Sequence, residues 1–375
     1  MRIGIMLRSL DEKGGIGVYT RGILTELLAR GTEHEFVLLY RNPENLGLHD
    51  SLAHVTERVV RAPHQTLWDQ VAIPPACRRE RIDVLFHPKF TVPLAAPCAT
   101  VMVVHGADWF IPEQARFYGR FDAFQVRRLM PLYFRKAAAV ISVSEHTTEN
   151  FHRALDLPPG KLRTIYFAPA KHFRRVEDVG VLAEVRARYA LPERFILTLT
   201  KFNGGDRKNF RGVVEAYRRC HGALPHKLVV GGKDAQRLRG SYDIPDQGWG
   251  ADVVFPGWID QRDLPAVYSL ADLYLYPSNL EAFPIPLTEA MACGTPILTS
   301  DRNGLEEIAG PAALMVDPED PEAIGDGILE VLRDPALASA LSQAGLERSR
   351  RFSWERCGRE TLEVLERAGS ARERA

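Results

Sequence analysis

The sequence predicts an α/β protein made of two Rossmann-like, doubly wound parallel-sheet domains. Three observations carry that expectation. The 375-residue length exceeds what a single hydrophobic core holds, short continuous apolar runs alternate with amphipathic stretches, and the alternation stops and restarts near the middle of the chain.

In the first half, residues 2–7, 35–40, 84–86, 100–104 and 138–143 read as strands, and residues 16–30 as an amphipathic helix. Runs that are apolar throughout suit strands covered on both faces, and helices between them imply right-handed crossovers in a parallel sheet. The rhythm restarts at Phe195, with strands at 195–199, 227–230, 253–255, 273–276 and 296–299 and helices at 209–220, 262–271 and 286–293. The polar, proline-containing segment 168–181 has neither period and marks the boundary. The expected domains are therefore 1–170 and 171–350, with a helix at about 352–370 packing back on the first domain and a charged end that frays. Such sheets bind ligands at the carboxyl ends of their strands, so the chemistry is expected in a cleft between the two domains.

Composition excludes several functions. Acidic and basic residues balance at 48 each, which leaves no overall field for nucleic acid or an anionic surface. Cys77, Cys98, Cys220, Cys293 and Cys357 lie far apart, without zinc or redox spacing, and fit reduced thiols. Residues 1–10 carry Arg8 and run straight into Asp11-Glu12-Lys13, which reads as a first strand rather than a signal peptide. No apolar stretch reaches the roughly 20 residues a bilayer needs. A cytoplasmic protein is expected, placed free or at the inner face of the membrane.

The most informative stretch is 276–301, YPSNLEAFPIPLTEAMACGTPILTSD, in which seven residues separate Glu281 from Glu289. Pro284 and Pro286 keep Glu281 off the helix, while Pro286 suits a first helical position and Gly294 the residue past the end. Glu281 then lies in a loop and Glu289 in the first turns of helix 286–293. Unpaired amides at such a tip favour a diphosphate, and two carboxylates accept from neutral hydroxyls, a combination offered by a nucleotide sugar. On spacing alone, a loop charge and a residue complementing the helix dipole are the simpler account.

This stretch closely resembles the E-x7-E signature of the retaining glycosyltransferases of family 4, usually written EGFGLPxxEAMACGTPV. The resemblance extends upstream through VFPGWIDQRDLPAVYSLADLYLYP (254–277) and downstream through the NGxxEI-like segment within 303–316. It implies a GT-B fold, two Rossmann-like domains facing across a cleft. It also implies that Glu281 contacts the donor sugar, that Gly257, Phe283, Pro284 and Ile285 line the donor, and that Glu289 grips the ribose. Ala282 and Pro284 depart from the family's glycines, and a proline cannot donate a backbone hydrogen bond.

A departing diphosphate needs fixed cations, and Lys201 and Lys208 in LTLTKFNGGDRKNF follow a strand at the expected cleft mouth. The stretch resembles the family's GR…RKN segment, with Lys201 where an arginine is usual and one extra loop residue before Lys208. A solvated basic turn is the plain alternative. Gly14-Gly15-Ile16-Gly17 opens a helix after the first strand without the G-x-G-x-x-G spacing, and the second strand ends at Tyr40-Arg41 with no acid for a ribose. GGIGVYTRGI instead resembles the family's GG-x-G-x-Y segment, which places Gly15 and Gly17 near the donor phosphates. His105, opening His105-Gly106-Ala107-Asp108 after strand 100–104, resembles the family's strand-end HD loop and is the acceptor-side catalytic candidate, with Asp108 behind it. A strand-end histidine satisfied by backbone explains it nearly as well. In ISVSEH (141–146), Ser144 suits a helix cap, and IYFAPAKHF replaces the family's PNGVD stretch.

The resemblance implies an enzyme that moves a sugar from a UDP- or GDP-linked donor to a glycan, lipid-linked or small-molecule acceptor with retained anomeric configuration. It needs no metal and no cofactor beyond the donor substrate. A nucleotide-sugar epimerase or phosphorylase of the same fold, and a nucleotide-sugar-binding protein without catalysis, are the alternatives. Apolar and basic residues within 109–135 offer a face for peripheral membrane contact, or a solvated helix.

Overall fold

A computed structural model of the chain describes every residue except Arg116, Tyr118, 203–205, 374 and 375. Loop residues 203–205 of the KFNGGDRKNF stretch, including both its glycines, thus lie outside the described residues. The chain forms two compact units, Met1–Phe167 with Ser353–Ala375, and Ala168–Phe352.

The first unit holds a seven-stranded sheet built from β1 (Arg2–Met6), β2 (Glu35–Tyr40), β3 (Val55–Val59), β4 (Val84–His87), β5 (Ala99–Val104), β6 (Ala139–Ser142) and β7 (Leu162–Thr164), in the order β3-β2-β1-β4-β5-β6-β7. Its neighbours pair in parallel throughout, as continuous apolar strands such as EFVLLY predict. One face buries Met6, Val37, Leu39, Trp68, Ile73 and Leu85; another cluster gathers Met102, Val104, Phe134, Val140 and Phe151. The Trp68 indole donates to the Val60 carbonyl at 2.7 Å, so its polar edge is satisfied inside the core.

The helix Trp354–Glu373 belongs to this unit and packs on the helix Gly15–Arg30. Glycine permits the approach. A Cβ on Gly22 would stand 2.3 Å from the Trp354 ring, and one on Gly358 would stand 2.6 Å from Glu26 Cβ. The rings of Tyr19 and Phe167 complete the contact, their centroids 6.1 and 5.6 Å from that of Trp354.

The second unit holds a six-stranded, all-parallel sheet of β8 (Phe195–Leu199), β9 (Lys227–Gly231), β10 (Val253–Gly257), β11 (Leu273–Tyr276), β12 (Ile297–Ser300) and β13 (Leu314–Val316), in the order β10-β9-β8-β11-β12-β13. Ile196, Val213, Tyr217, Leu228, Val230, Leu275, Leu298, Ile324 and Ile328 form its core. The helix Phe210–Cys220 starts from Asn209, held at φ 53°, whose side chain accepts from the Gly212 amide at 3.2 Å. Asparagine tolerates that left-handed geometry and caps at the same time.

Each sheet reverses its strand order once, between β1 and β4 in the first unit and between β8 and β11 in the second. Loops leaving the carboxyl ends of such neighbours run in opposite directions and leave a crevice, the general ligand position of open α/β sheets. Among the described residues, no helix is long and apolar enough to cross a membrane.

Candidate functional site

In the second unit, the loop after β8 carries Arg207 and Lys208, and the loop after β11 carries Ser278 to Glu281. The two loops are laced together beside the reversal. The Asn279 amide and the Ser278 hydroxyl both donate to the Arg207 carbonyl, at 2.9 and 3.1 Å, and Asn279 Nδ2 donates to the Asp206 carbonyl at 3.2 Å. Asp206 in turn accepts from the Arg211 amide at 3.0 Å, which anchors the loop to the start of helix Phe210–Cys220.

Glu281 is held from both sides. The Tyr276 hydroxyl donates to its Oε1 at 2.6 Å, and Arg207 Nη1 stands 3.0 Å from its Oε2 while also donating to the Leu280 carbonyl at 2.6 Å. Its backbone is fixed as well. The Gly304 amide donates to the Glu281 carbonyl at 3.0 Å, and a Cβ on Gly304 would lie 2.3 Å from the Ala282 oxygen. Only glycine lets the helix Asn303–Ala309 approach this loop so closely. Asn303, at φ 58°, adds a bond from Nδ2 to the Asn279 carbonyl at 2.9 Å.

Lys208 points inward. Its Nζ donates to the Leu199 carbonyl at 3.2 Å, at the end of β8, and lies 5.2 Å from the Tyr276 ring centroid. Burial lowers its pKa to about 8; Glu281 acts against that shift, and Arg207 and Lys201 add to it. Lys201 itself is exposed. The sequence-level alternative of a solvated basic turn therefore describes Lys201 but not Lys208.

Glu289 is the fifth residue of the helix Ile285–Ala292 and is 7% exposed. That burial sets it apart from a solvated residue complementing a helix dipole. The Tyr268 hydroxyl donates to its Oε2 at 3.2 Å. Desolvation raises its pKa to about 7, opposed by that hydrogen bond and by the Lys208 charge. Tyr268, Tyr274 and Tyr276 stand ring against ring beneath the two glutamates, with successive centroids 5.2 and 5.6 Å apart.

The helix tip differs from the expectation of unpaired amides. The Ile285 amide donates to the Phe283 carbonyl at 3.1 Å, the Leu287 amide to the Pro284 carbonyl at 3.0 Å, and Pro286 has no donor. The physical reason is the Pro-Ile-Pro sequence, which tightens the entry into turn geometry and uses its own amides. Phe283, Pro284 and Ile285 are all buried, and the Phe283 ring meets Phe352 edge to face at 5.7 Å. Gly257, at φ 81°, ends β10 and accepts at its carbonyl from the Gly232 amide at 2.9 Å. A Cβ there meets nothing within 4 Å, so backbone conformation rather than space calls for glycine.

In the first unit, Gly15 is exposed at the start of its helix, whereas Gly17 is buried under the preceding turn, where a Cβ would fall 1.7 Å from the Glu12 carbonyl oxygen. Lys89, beyond β4, pairs with Glu12, beyond β1, at 2.5 Å across the strand reversal of that sheet. His105 Nε2 lies 3.0 Å from the Pro88 carbonyl, an atom that only accepts, so Nε2 carries the proton and Nδ1 is the acceptor. Burial lowers the His105 pKa to about 4, with the Pro88 bond opposing and Lys89 adding to the shift. The ring is therefore neutral near pH 7 and edge-on to Tyr19 at 5.0 Å. Asp108 opens the short turn Asp108–Phe110, and the Ser144 hydroxyl caps its helix by accepting from the Thr147 amide at 3.1 Å. Among the described residues, the one grouping with metal-ligand spacing is Glu33, His34 and Glu366, which includes none of these candidates.

Arg207, Tyr268 and Tyr276 were not candidates from sequence. Their signal is faint: tyrosines in strand- and helix-like apolar runs read as core, and an arginine beside Lys208 reads as solvated.

Two parallel sheets, the second with charged groups gathered where its strand order reverses, define a Rossmann-like α/β protein of GT-B architecture. The fold matches sucrose-phosphate synthase from Thermosynechococcus elongatus with a TM-score of 0.77 at 20% identity, over 99% of this chain and 100% of that one. It matches Anabaena HepE in complex with UDP with a TM-score of 0.76 at 16% identity, over 98% and 100%. Residues 183–348 match the family model of glycosyl transferases group 1, and residues 13–167 match that of Glycosyltransferase Family 4. The chain belongs to this group 1, family 4 lineage of GT-B glycosyltransferases.

It is 27% identical over 235 residues to O-antigen chain mannosyltransferase B of Escherichia coli, spanning 60% of each chain. It is 29% identical over 280 residues to the serotype-specific mannosyltransferase WbdA of Escherichia coli, spanning 71% of this chain and 33% of that one. The matches therefore cover less than two thirds of these relatives' own lengths.

Proposed function

We propose that the protein transfers a sugar from a UDP- or GDP-linked donor to a glycan, lipid-linked or small-molecule acceptor, with retention of anomeric configuration, in the assembly of a polysaccharide or related glycoconjugate. The observation that carries this reading is the arrangement of Lys208 and Glu281 on the two loops at the β8/β11 reversal, with Glu289 buried behind them.

In this mechanism Glu281 accepts a hydrogen bond from a hydroxyl of the donor sugar, and Glu289 accepts from the ribose. Lys208, with Lys201 at the loop's exposed side, offsets the charge that develops on the departing diphosphate oxygen. A partly desolvated ammonium with a pKa of about 8 is mostly cationic near neutrality, and a bound diphosphate draws that pKa upward. The acceptor hydroxyl attacks the face from which the diphosphate leaves; the C–O bond to the acceptor forms as the bond to the diphosphate breaks. The acceptor's proton passes to the leaving oxygen. That route asks for no protein base, in keeping with a Glu281 whose two oxygens are both engaged. His105 orients the acceptor through Nδ1. No metal takes part, and the reaction is placed in the cytoplasm, free or at the inner membrane face.

The test begins with thermal shifts against UDP-glucose, GDP-mannose and ADP-glucose, since a ligand that binds only the folded chain raises its apparent stability. Turnover of the donor that stabilises the protein is then measured in Glu281→Ala and Lys208→Ala. A sharp loss in both with little change in melting temperature supports the assignment; unaltered turnover in both overturns it. Conversion of donor without acceptor, or dependence on inorganic phosphate, would instead assign an epimerase or phosphorylase. Tight donor binding with neither hydrolysis nor transfer would assign nucleotide-sugar binding alone.

A further inference from the structure

Tyr276 touches both candidate site charges in different ways. It ends β11 at 2% exposure, and burial together with the neighbouring Glu281 charge keeps its hydroxyl protonated. That hydroxyl is therefore a donor, and it reaches Glu281 Oε1 at 2.6 Å. The face of the same ring lies 5.2 Å from the Lys208 ammonium. Its backbone is equally constrained, because its carbonyl accepts from the Ser278 amide at 2.9 Å and from the Thr299 hydroxyl at 2.8 Å. The ring position is fixed further by stacking on Tyr274, 15° from parallel.

The geometry points to Tyr276 as a positioning residue for sugar transfer: its hydroxyl fixes the rotamer of Glu281 toward the donor sugar while its ring seats Lys208 toward the diphosphate. This rests on the donor-site reading of Glu281 and Lys208. The two charges sit on loops from neighbouring strands, and each side chain alone has several rotatable bonds. One rigid ring between them sets their separation without contacting the donor itself. A hydrogen bond to a charged acceptor is about twice as strong as a neutral one, which is enough to hold a half-buried carboxylate in one orientation. Arg207 holds the other carboxylate oxygen, so loss of the Tyr276 hydroxyl frees rotation about that single remaining contact.

Tyr276→Phe removes the hydroxyl and keeps the ring, which separates the two parts of the role. The probe is whichever of UDP-glucose, GDP-mannose and ADP-glucose stabilises the wild type, with its own nucleoside diphosphate as reference, and dissociation constants are read by calorimetry. We expect Tyr276→Phe to weaken nucleotide-sugar binding about tenfold, the scale of one charge-assisted hydrogen bond, and to leave diphosphate binding within about twofold, because the Lys208 seat is intact. Tyr276→Leu should weaken diphosphate binding as well.

A double-mutant cycle excludes a general packing effect. In a Glu281→Ala background, adding Tyr276→Phe should change nucleotide-sugar binding by less than about twofold, since the partner it positions is gone. A full, additive penalty in that background, or a Tyr276→Phe protein that binds sugar donor and diphosphate as the wild type does, overturns the role of Tyr276. If Glu281→Ala impairs binding while Tyr276→Phe does not, Tyr276 alone is reassigned to packing. If none of the three nucleotide sugars binds the wild type, or if Glu281→Ala and Lys208→Ala are both silent, the donor-site reading falls and takes this inference with it.

Discussion

The Tyr268 hydroxyl donates to Glu289 Oε2 at 3.2 Å inside the second unit, and this bond does not offset the desolvation of the carboxylate it serves. The Glu289 pKa rises from 4.5 to about 7 in the folded chain. A group with a raised folded-state pKa contributes stability that is complete below its unfolded value and lost as pH climbs through the folded one. The wild type should therefore lose about 3 kcal/mol between about pH 4 and pH 8 on account of Glu289. Glu289→Gln should remove most of that loss. Urea denaturation at the two pH values checks it: equal pH dependence in both proteins contradicts the shift.

Lys208 gives a kinetic counterpart. Its pKa of about 8 belongs to the unliganded protein, and kcat/KM reports groups of the free enzyme. A plot of kcat/KM for the donor against pH should fall on an alkaline limb near 8. Lys208→Arg should flatten that limb at reduced activity, because a guanidinium keeps its charge there and does not fit the same seat. An alkaline limb that persists unchanged in the arginine variant assigns it to another group.

Gly304 supports the site from behind, and Gly304→Ala drives a methyl group into the Ala282 carbonyl, 2.3 Å away. Backbone cannot yield as a flexible side-chain tip can. The variant should lose about 1–3 kcal/mol of stability from overpacking and should weaken nucleotide-sugar binding by displacing Glu281. A denaturation midpoint and a dissociation constant, both unchanged, contradict the prediction.

Gly22 tests the packing of the last helix on the first. Gly22→Ala places a methyl group 2.3 Å from the Trp354 indole, whose ring is confined by Tyr19 and Phe167. The expected cost is again about 1–3 kcal/mol, with faster hydrogen exchange across Trp354–Glu373 and little change in the second unit. Uniform exchange changes in both units would contradict a local effect.

The two parallel sheets are legible in the sequence because their central strands are apolar throughout. Strands 35–40, 195–199 and 273–276 coincide with those expected. What escaped is the edges. VTERV in β3 and LRT in β7 flank the first sheet on either side, are only partly buried, and so carry mixed residues with no apolar run to betray them. In the candidate site, Glu281, Glu289 and Lys208 stand out through spacing and resemblance, but the groups that hold them do not. Tyr276 sits in an apolar strand, and Arg207 is 74 residues from its partner Glu281. Their pairing is created by two loops meeting at a strand reversal, a relation written in topology rather than in local pattern. The paired amides at Ile285 and Leu287 were equally hidden, since the tightness of a Pro-Ile-Pro entry appears only in three dimensions.

Because Ser353–Ala375 belongs with Met1–Phe167, the second unit is an inserted cassette within the first. A ribosome finishes the cassette before it makes Trp354, so the inserted unit has every residue it needs while the earlier one still lacks the helix that covers Tyr19 and Gly22. A chain released just short of residue 354 should thus carry a protease-resistant cassette behind an incompletely sealed leading unit. A premature stop there would harm the part of the protein translated first.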